Sequence, residues 1–380
     1  MSSRQLRLSA EDTDHIKRLI QTLKKGSSDP SEVKMYDRVL VKCAKAYDFS
    51  LHGILRDLMH SLLSTRLLHP CWKELSRLHK LRILQVLRIF TRDPSLQGIF
   101  GDHSTLQVIA QEMERLSMDV FDSELMQLPE ITAGLVEVLS IIKRFATIKQ
   151  KQEQLFSLGI HKSMILLLSC SKLLVIQGVL ICLLKLASHS LFFIKIPHLP
   201  CVDPLLHLVQ GNTTYRVLAV DLLSHLVRHK QCRADFKLYQ GIGTLLTLLN
   251  STTPHEVRLS TLRCLSSVSH YDTQARREIC IRGGIPLLLA TLSETSASNN
   301  NGSNNNNRRH HRQATQRKRT VSVTDSKGGA LAPSSSCLMS PISRGKRCSS
   351  STVNLVNSGS DGNKQDSQTT TTLAGRGGAG

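Results

Sequence analysis

GIHKSMILLL (159–168), CVDPLLHLV (201–209), GIGTLLTLL (241–249) and GIPLLLATL (284–292) decide how this chain folds. Measured between Ile160, Val202, Ile242 and Ile285, their spacing is 42, 40 and 43 residues. A Gly, or Pro200 in the second copy, breaks the chain before each apolar run. A helix whose apolar face recurs at a period near forty cannot bury that face alone, so copies stack on one another. The period therefore marks an α-solenoid.

Each copy divides into three helices. A short one ends near the Gly: KQEQLFSLG, LFFIKIPHL, CRADFKLYQG, QARREICIRGG. The apolar helix quoted above follows. A longer one closes the unit: LVEVLSIIKRFA, VIQGVLICLLKLA, YRVLAVDLLSHLV, VRLSTLRCLSSVS. Three helices per unit favour the armadillo plan over the two-helix HEAT plan. The expected fold is all-α, an armadillo-type right-handed α-solenoid.

Upstream the pattern loosens. Ser9 followed by Asp12 resembles a capping box and starts a helix that Gly26 ends. Helical periodicity resumes at 33–46 and again at 51–68, where Ile54, Leu55, Leu58 and Leu62 share a face and Pro70 is the stop. Helices at 80–91, 106–118 and 131–146 lead into the regular array, with Asp93-Pro94 as a turn. The division is 1–50, N-terminal helices and linker; 51–292, the array, irregular to about 130 and regular over 131–292; and 293–380, a basic Asn/Ser-rich tail. The tail holds too little apolar surface to order itself and reads as disordered. The last unit has two helices and no third, which reads as a truncated product or a fragment.

Composition fits this plan. Aromatic residues are 4% of 380, with one Trp, which suits Leu/Ile helix packing better than a β-sandwich. Net charge is +20, of which the tail carries +8, so acidic or phosphorylated partners are favoured. Nucleic acid is disfavoured, because no basic patch is interleaved with stacking aromatics. The ten Cys are scattered without a C-x-x-C, as expected of a reduced compartment, cytoplasmic and, given the basic clusters, also nuclear. Residues 164–187 approach a membrane span in hydropathy. Lys172, Gln177 and Lys185 interrupt them, so two buried helices are the better reading and no membrane is expected.

LRILQVLRIFTRDPSLQGIF (81–100), FKLYQGIGTLLTLL (236–249) and REICIRGGIPLLLATL (277–292) resemble, in order and spacing, the N-terminal armadillo region of the NIMA-related (Nek) Ser/Thr protein kinases. The resemblance runs from Leu51 to Leu292, with TRDP and KLYQGI most telling. It implies an armadillo array that precedes a kinase domain, with a polar insertion about where the tail begins. The chain departs from the family in showing no G-x-G-x-x-G loop, V-A-I-K strand, H-R-D loop or D-F-G. It therefore offers no catalytic residue and calls for no cofactor. Two functions follow: a non-catalytic protein-interaction scaffold, or a partial copy of an active kinase whose ATP-binding domain lies beyond this chain.

Peptide-binding armadillo proteins carry Trp and, four residues on, Asn on the third helix. Aligned on Phe145-Ala146, Leu186-Ala187, Leu226-Val227 and Val268-Ser269, those positions are Ser140 and Arg144, Ile181 and Lys185, Asp221 and His225, Arg263 and Ser267. The ladder is replaced by Arg144, Lys185, His225 and Arg263 against Asp221. This makes a candidate strip for an acidic or phosphorylated segment, of a protein partner or, alternatively, of the same chain in a full-length kinase. His225, His229 and Cys232 fall at i, i+4, i+7, a spacing compatible with zinc on one continuous helix. No fourth ligand is nearby, so no metal is expected. Arg317–Arg319 before Thr320 and Ser322, and Arg344–Arg347 before Ser349, are candidate phosphosite contexts.

Overall fold

The computed structural model describes residues 9–26, 30–45, 52–211, 214–249, 252–291 and 293, and among these there is no strand. The chain opens with α1 (Ala10–Lys24), α2 (Pro30–Lys45), α3 (His52–Leu62) and α4 (Arg77–Phe90). Helices then come in threes. The first set is α5 (Pro94–Phe100), α6 (His103–Asp119) and α7 (Pro129–Phe145). The second is α8 (Lys149–Ser157), α9 (Ile160–Leu167) and α10 (Leu173–Leu186), and the third α11 (Ser190–Lys195), α12 (Val202–Gln210) and α13 (Arg216–Leu226). The fourth is α14 (Lys230–Leu238), α15 (Gly241–Thr247) and α16 (His255–Tyr271). Then come α17 (Thr273–Ile281) and a helical stretch at 284–291. This is an armadillo-type α-solenoid.

Third helices stack in one row: α4 on α7, α7 on α10, α10 on α13, α13 on α16. The row begins earlier than the sequence period does, because α2 packs on α4 in the same manner and α1 on α3. Apolar residues at helical spacing build the seam. Val138, Ile141 and Ile142 of α7, Val179 and Leu183 of α10, and Val220 and Leu223 of α13 are all fully buried. Each such side chain contributes about 1.5–3 kcal/mol relative to exposure.

The capping box forms as read: Ser9 Oγ accepts from the Asp12 amide at 3.1 Å, and the Asp12 carboxylate accepts from the Ser9 amide at 3.4 Å. Gly26 ends the helix at φ +76°. The repeated glycines, alike in sequence, do two different jobs. Gly159 takes the left-handed conformation before α9 itself (φ +74°). Before α15 that conformation falls on Gln240 (φ 54°), and Gly241 is needed because a Cβ there would lie 2.3 Å from the Phe236 ring.

The helix expected over 51–68 does not run straight to Pro70. After Leu62 it widens into a π-helical turn, Leu63–Leu67, closed by Leu68 N–H to Leu63 O at 2.8 Å. The turn carries the fully buried Arg66 inward to Glu32 of α2, where Nη2–Oε2 is 2.8 Å and Nε–Oε1 is 3.0 Å. Ser64 and Thr65 hydroxyls cover nearby carbonyls of His60 and Ser61 at 2.8 and 2.7 Å.

Residues 164–187 break between α9 and α10, and no single helix among the described residues is long and apolar enough to cross a membrane. The expectation of disorder for 293–380 and the candidate phosphosites Thr320, Ser322 and Ser349 lie, Ser293 apart, outside the described residues.

Candidate interaction face

Arg144, Lys185, His225 and Arg263 sit on four successive third helices, α7, α10, α13 and α16. Ridge-to-groove stacking of those helices puts them along one row. The structure groups them unequally. His225 and Arg263 line a single open groove of about 680 Å³, with Leu184 of α10, Asp221 and Arg228 of α13 or its end, and Ser267 of α16. Arg263 is exposed and His225 half-buried. Burial holds the His225 imidazole below its ordinary value; Arg228 adds to this and Asp221 opposes it. Burial thus favours the neutral ring, so the charged strip expected from sequence rests on its Arg and Lys members. His225 Nδ1 is buried with no hydrogen-bond partner among the described residues.

Arg144 lies apart from that groove, opposite α4. Arg88 of α4 ion-pairs with Glu137 of α7, which fixes the two helix faces against each other. Arg144 is seven residues beyond Glu137 on that face, and Arg92 four beyond Arg88. Burial, then Arg92 and Arg88, push the Arg144 guanidinium below its usual range, and its Nε is buried without a partner among the described residues. Burial raises the Glu137 carboxyl against the pull of Arg88 and Arg92. Arg144 thus sits among like charges, beside a carboxylate that burial makes reluctant to ionise. Lys185, half-buried between the two places, has no ion pair among the described residues.

The sequence strip omitted Arg88, Arg92 and Arg228. The first two lie on or just after α4, whose place in the row shows at its end. Gln152 Nε2 caps the Ala146 carbonyl at 2.8 Å, and Gln97 Nε2 caps that of Thr91 at 2.8 Å, six residues back in each case. Phe90-Thr91 thus corresponds to Phe145-Ala146, and α4 is itself a third helix.

His225, His229 and Cys232 are not brought together. His229 caps α14, its Nδ1 accepting from the Gln231 amide at 3.2 Å, and Cys232 turns into the core towards Cys201. Among the described residues no three His, Cys, Asp or Glu side chains are placed to hold a metal.

No family model matches the chain. Over 193 residues, 50% of the chain, it is 30% identical to serine/threonine-protein kinase Nek10 of Mus musculus. Over 200 residues, 51% of the chain, it is 29% identical to Nek10 of Homo sapiens. Each match spans only 17% of the relative's length. Among solved structures, one of computationally designed armadillo repeat proteins for modular peptide recognition aligns with TM-score 0.50 and 14% identity, covering 66% of this chain and 99% of that one. An engineered protein aligns with TM-score 0.50 and 16% identity, covering 67% and 96%. These neighbours fix the fold. With the Nek10 homology, they support similarity to an N-terminal armadillo-like region of that kinase, without the kinase domain.

Proposed function

We propose that the chain is a non-catalytic protein-interaction scaffold whose third-helix row receives an extended acidic segment, phosphorylated where it crosses α4 and α7. The observation that carries this reading is the unneutralised cation row: Arg144, Lys185, Arg228 and Arg263 make no ion pair among the described residues. A soluble array gains nothing from holding Arg144 half-buried beside two other arginines. Such unresolved electrostatics are a mark of a binding site. A phosphoryl dianion supplies two charges and three acceptors to planar guanidinium forks, which suits it better than a single carboxylate. Similarity to part of Nek10 supports a kinase segment, in cis or in trans, as the occupant we favour.

The test is a triple reversal, Arg144→Glu, Lys185→Glu, Arg263→Glu, with binding of a Glu-rich peptide and its phosphoserine counterpart measured by fluorescence anisotropy. Glu at 144 meets Arg88 and Arg92, so the array should stay folded by circular dichroism. The reading expects binding to fall about tenfold or more and wild-type binding to weaken as salt rises past about 0.15 M. Unchanged binding by a folded triple variant would remove the row as the site. The purified chain should leave ATP unbound; phosphotransfer that co-purifies through stringent removal of other kinases would overturn the non-catalytic part.

A further inference from the structure

Two long cationic side chains, Arg66 and Lys80, are buried among the described residues, and they differ in their counterions. Arg66 is forked on Glu32. Lys80, near the start of α4 and 8% exposed, makes no ion pair among the described residues. Its Nζ donates to the Lys73 carbonyl at 3.3 Å and lies 5.6 Å from the centre of the Trp72 ring. Glu112 of α6 is spent elsewhere: it accepts from Trp72 Nε1 at 3.3 Å and pairs with Arg115, which also holds Asp119. Burial holds the Lys80 ammonium below its ordinary range, and Arg115 and Arg77 work against the pull of Glu112. A cation near a helix N-terminus also runs against the helix dipole. An uncompensated buried charge costs stability unless something completes it. Lys80 lines an open cavity of about 240 Å³. Its other walls are Trp72 and Lys73 of the short helical turn Pro70–Lys73, and Val108, Glu112 and Arg115 of α6.

We propose that this cavity binds a monocarboxylate carried on an apolar stem, with Lys80 as the partner of the anion and Trp72 and Val108 as the wall for the stem. An ammonium has three donors, and the Lys73 carbonyl takes one. A carboxylate uses the others and supplies the missing counterion as a charge-assisted hydrogen bond. One negative charge suits the site better than two. Glu112 and Asp119 stand on the same helix, and like charges nearby disfavour a phosphoryl dianion. A cationic ligand is opposed by Lys80 itself. The volume is below the about 300–1,000 Å³ of drug-sized pockets, so it takes a single aromatic or branched group. That group comes either on a free small acid or on the last residue of a peptide, whose C-terminal carboxylate offers the same chemistry.

Trp72 is the single tryptophan of the sequence, so the indole N–H resonance of the full chain reports on the cavity wall directly. The experiment titrates phenylacetate, its amide, and the peptide acetyl-Gly-Ser-Gly-Phe with a free or an amidated C-terminus, followed by heteronuclear NMR. The expected result is a saturable shift with phenylacetate or with the free-acid peptide, and none with either amide. Whichever acid binds more tightly identifies the source. Lys80→Met keeps the stem and removes the charge. It should weaken binding about tenfold or more, while the melting temperature holds or rises because an unpaired buried charge has gone. Should that variant not fold, Val108→Phe, which fills the cavity, takes its place and should abolish binding. The proposal is overturned if neither acid gives a saturable shift, if acids and amides shift the resonance alike, or if affinity is unchanged in the folded variant. The triple reversal of the cation row should leave this binding intact; its loss there would assign the acid to the row instead.

Discussion

Between α7 and α16 successive third helices meet through Leu, Val and Ile, whereas between α1 and α4 the apolar contacts enclose buried charge as well. Glu32 and Arg66 are both fully buried. Their forked ion pair is completed by the Tyr36 hydroxyl, which donates to Glu32, and by His79 Nε2 at 3.3 Å. Asp12, also buried, receives Lys42 at 3.2 Å. An apolar seam tolerates substitution of one hydrophobe for another and repeats cheaply along a stack. A buried ion pair does not repeat: it demands one partner in one place, and so fixes register where the three-helix rhythm is missing.

The largest expected effect breaks that contrast outright. Arg66→Ala leaves Glu32 as an uncompensated buried charge and should cost about 3–5 kcal/mol, read by urea unfolding with Trp72 fluorescence. Glu32→Leu with Arg66→Met should return stability to within about 1–2 kcal/mol of wild type. A loss under about 1 kcal/mol for Arg66→Ala would mean the pair is ornamental.

Acid should act on the same place. Burial would raise the Glu32 carboxyl, but His79, Arg66 and Tyr36 together bring it from 4.5 down to about 2. A depressed carboxylate contributes stability that is full above its unfolded value and lost as pH falls through its folded one. Melting temperature should therefore drop between about pH 4.5 and pH 2, and drop less steeply in Glu32→Gln. Parallel profiles would assign acid sensitivity elsewhere.

Smaller changes sharpen the comparison within the regular array. Gly241→Ala drives a methyl into the Phe236 ring and should cost roughly 1–3 kcal/mol. Gly159→Ala meets open space and should cost about 1 kcal/mol from its positive φ alone. Gln240→Gly should gain up to about 1 kcal/mol by relieving the left-handed glutamine. Equal losses at Gly159 and Gly241 would show that the two glycines share one role after all.

These differences track what could be read in advance. The regular units were legible because a period, a Gly or Pro break and a Leu/Ile face agree in every copy, and the Ser9–Asp12 cap because it is local in sequence. The π turn at Leu63–Leu67 was not, since its cause is Glu32, more than thirty residues away. The shared Gly-Ile motif hid two geometries that differ by one position of register. At the candidate face, third-helix alignment found Arg144, Lys185, His225 and Arg263 by position. It could not foresee that burial disfavours the charged form of His225. It also passed over Arg88 and Arg92, because carrying the same alignment to α4 puts Gln85 and Ile89, and no arginine, at the two positions.

The Gln97 and Gln152 caps have a mechanical consequence. After α4, α7 and α13, a side chain six residues on ties the same carbonyl: Gln97 to Thr91, Gln152 to Ala146, and Arg233 to Val227 at 3.0 Å. After α10 the equivalent position is Phe193, which has no side-chain donor for the Ala187 carbonyl. Under a bending load the stack resembles a chain with tightened rivets at three joints and a slack one at Ala187. Compliance should concentrate there, so that flexing moves α13 and α16 as one lever arm against α4 and α7. The curvature of the row would then be set at a single joint, midway between Arg144 and the groove.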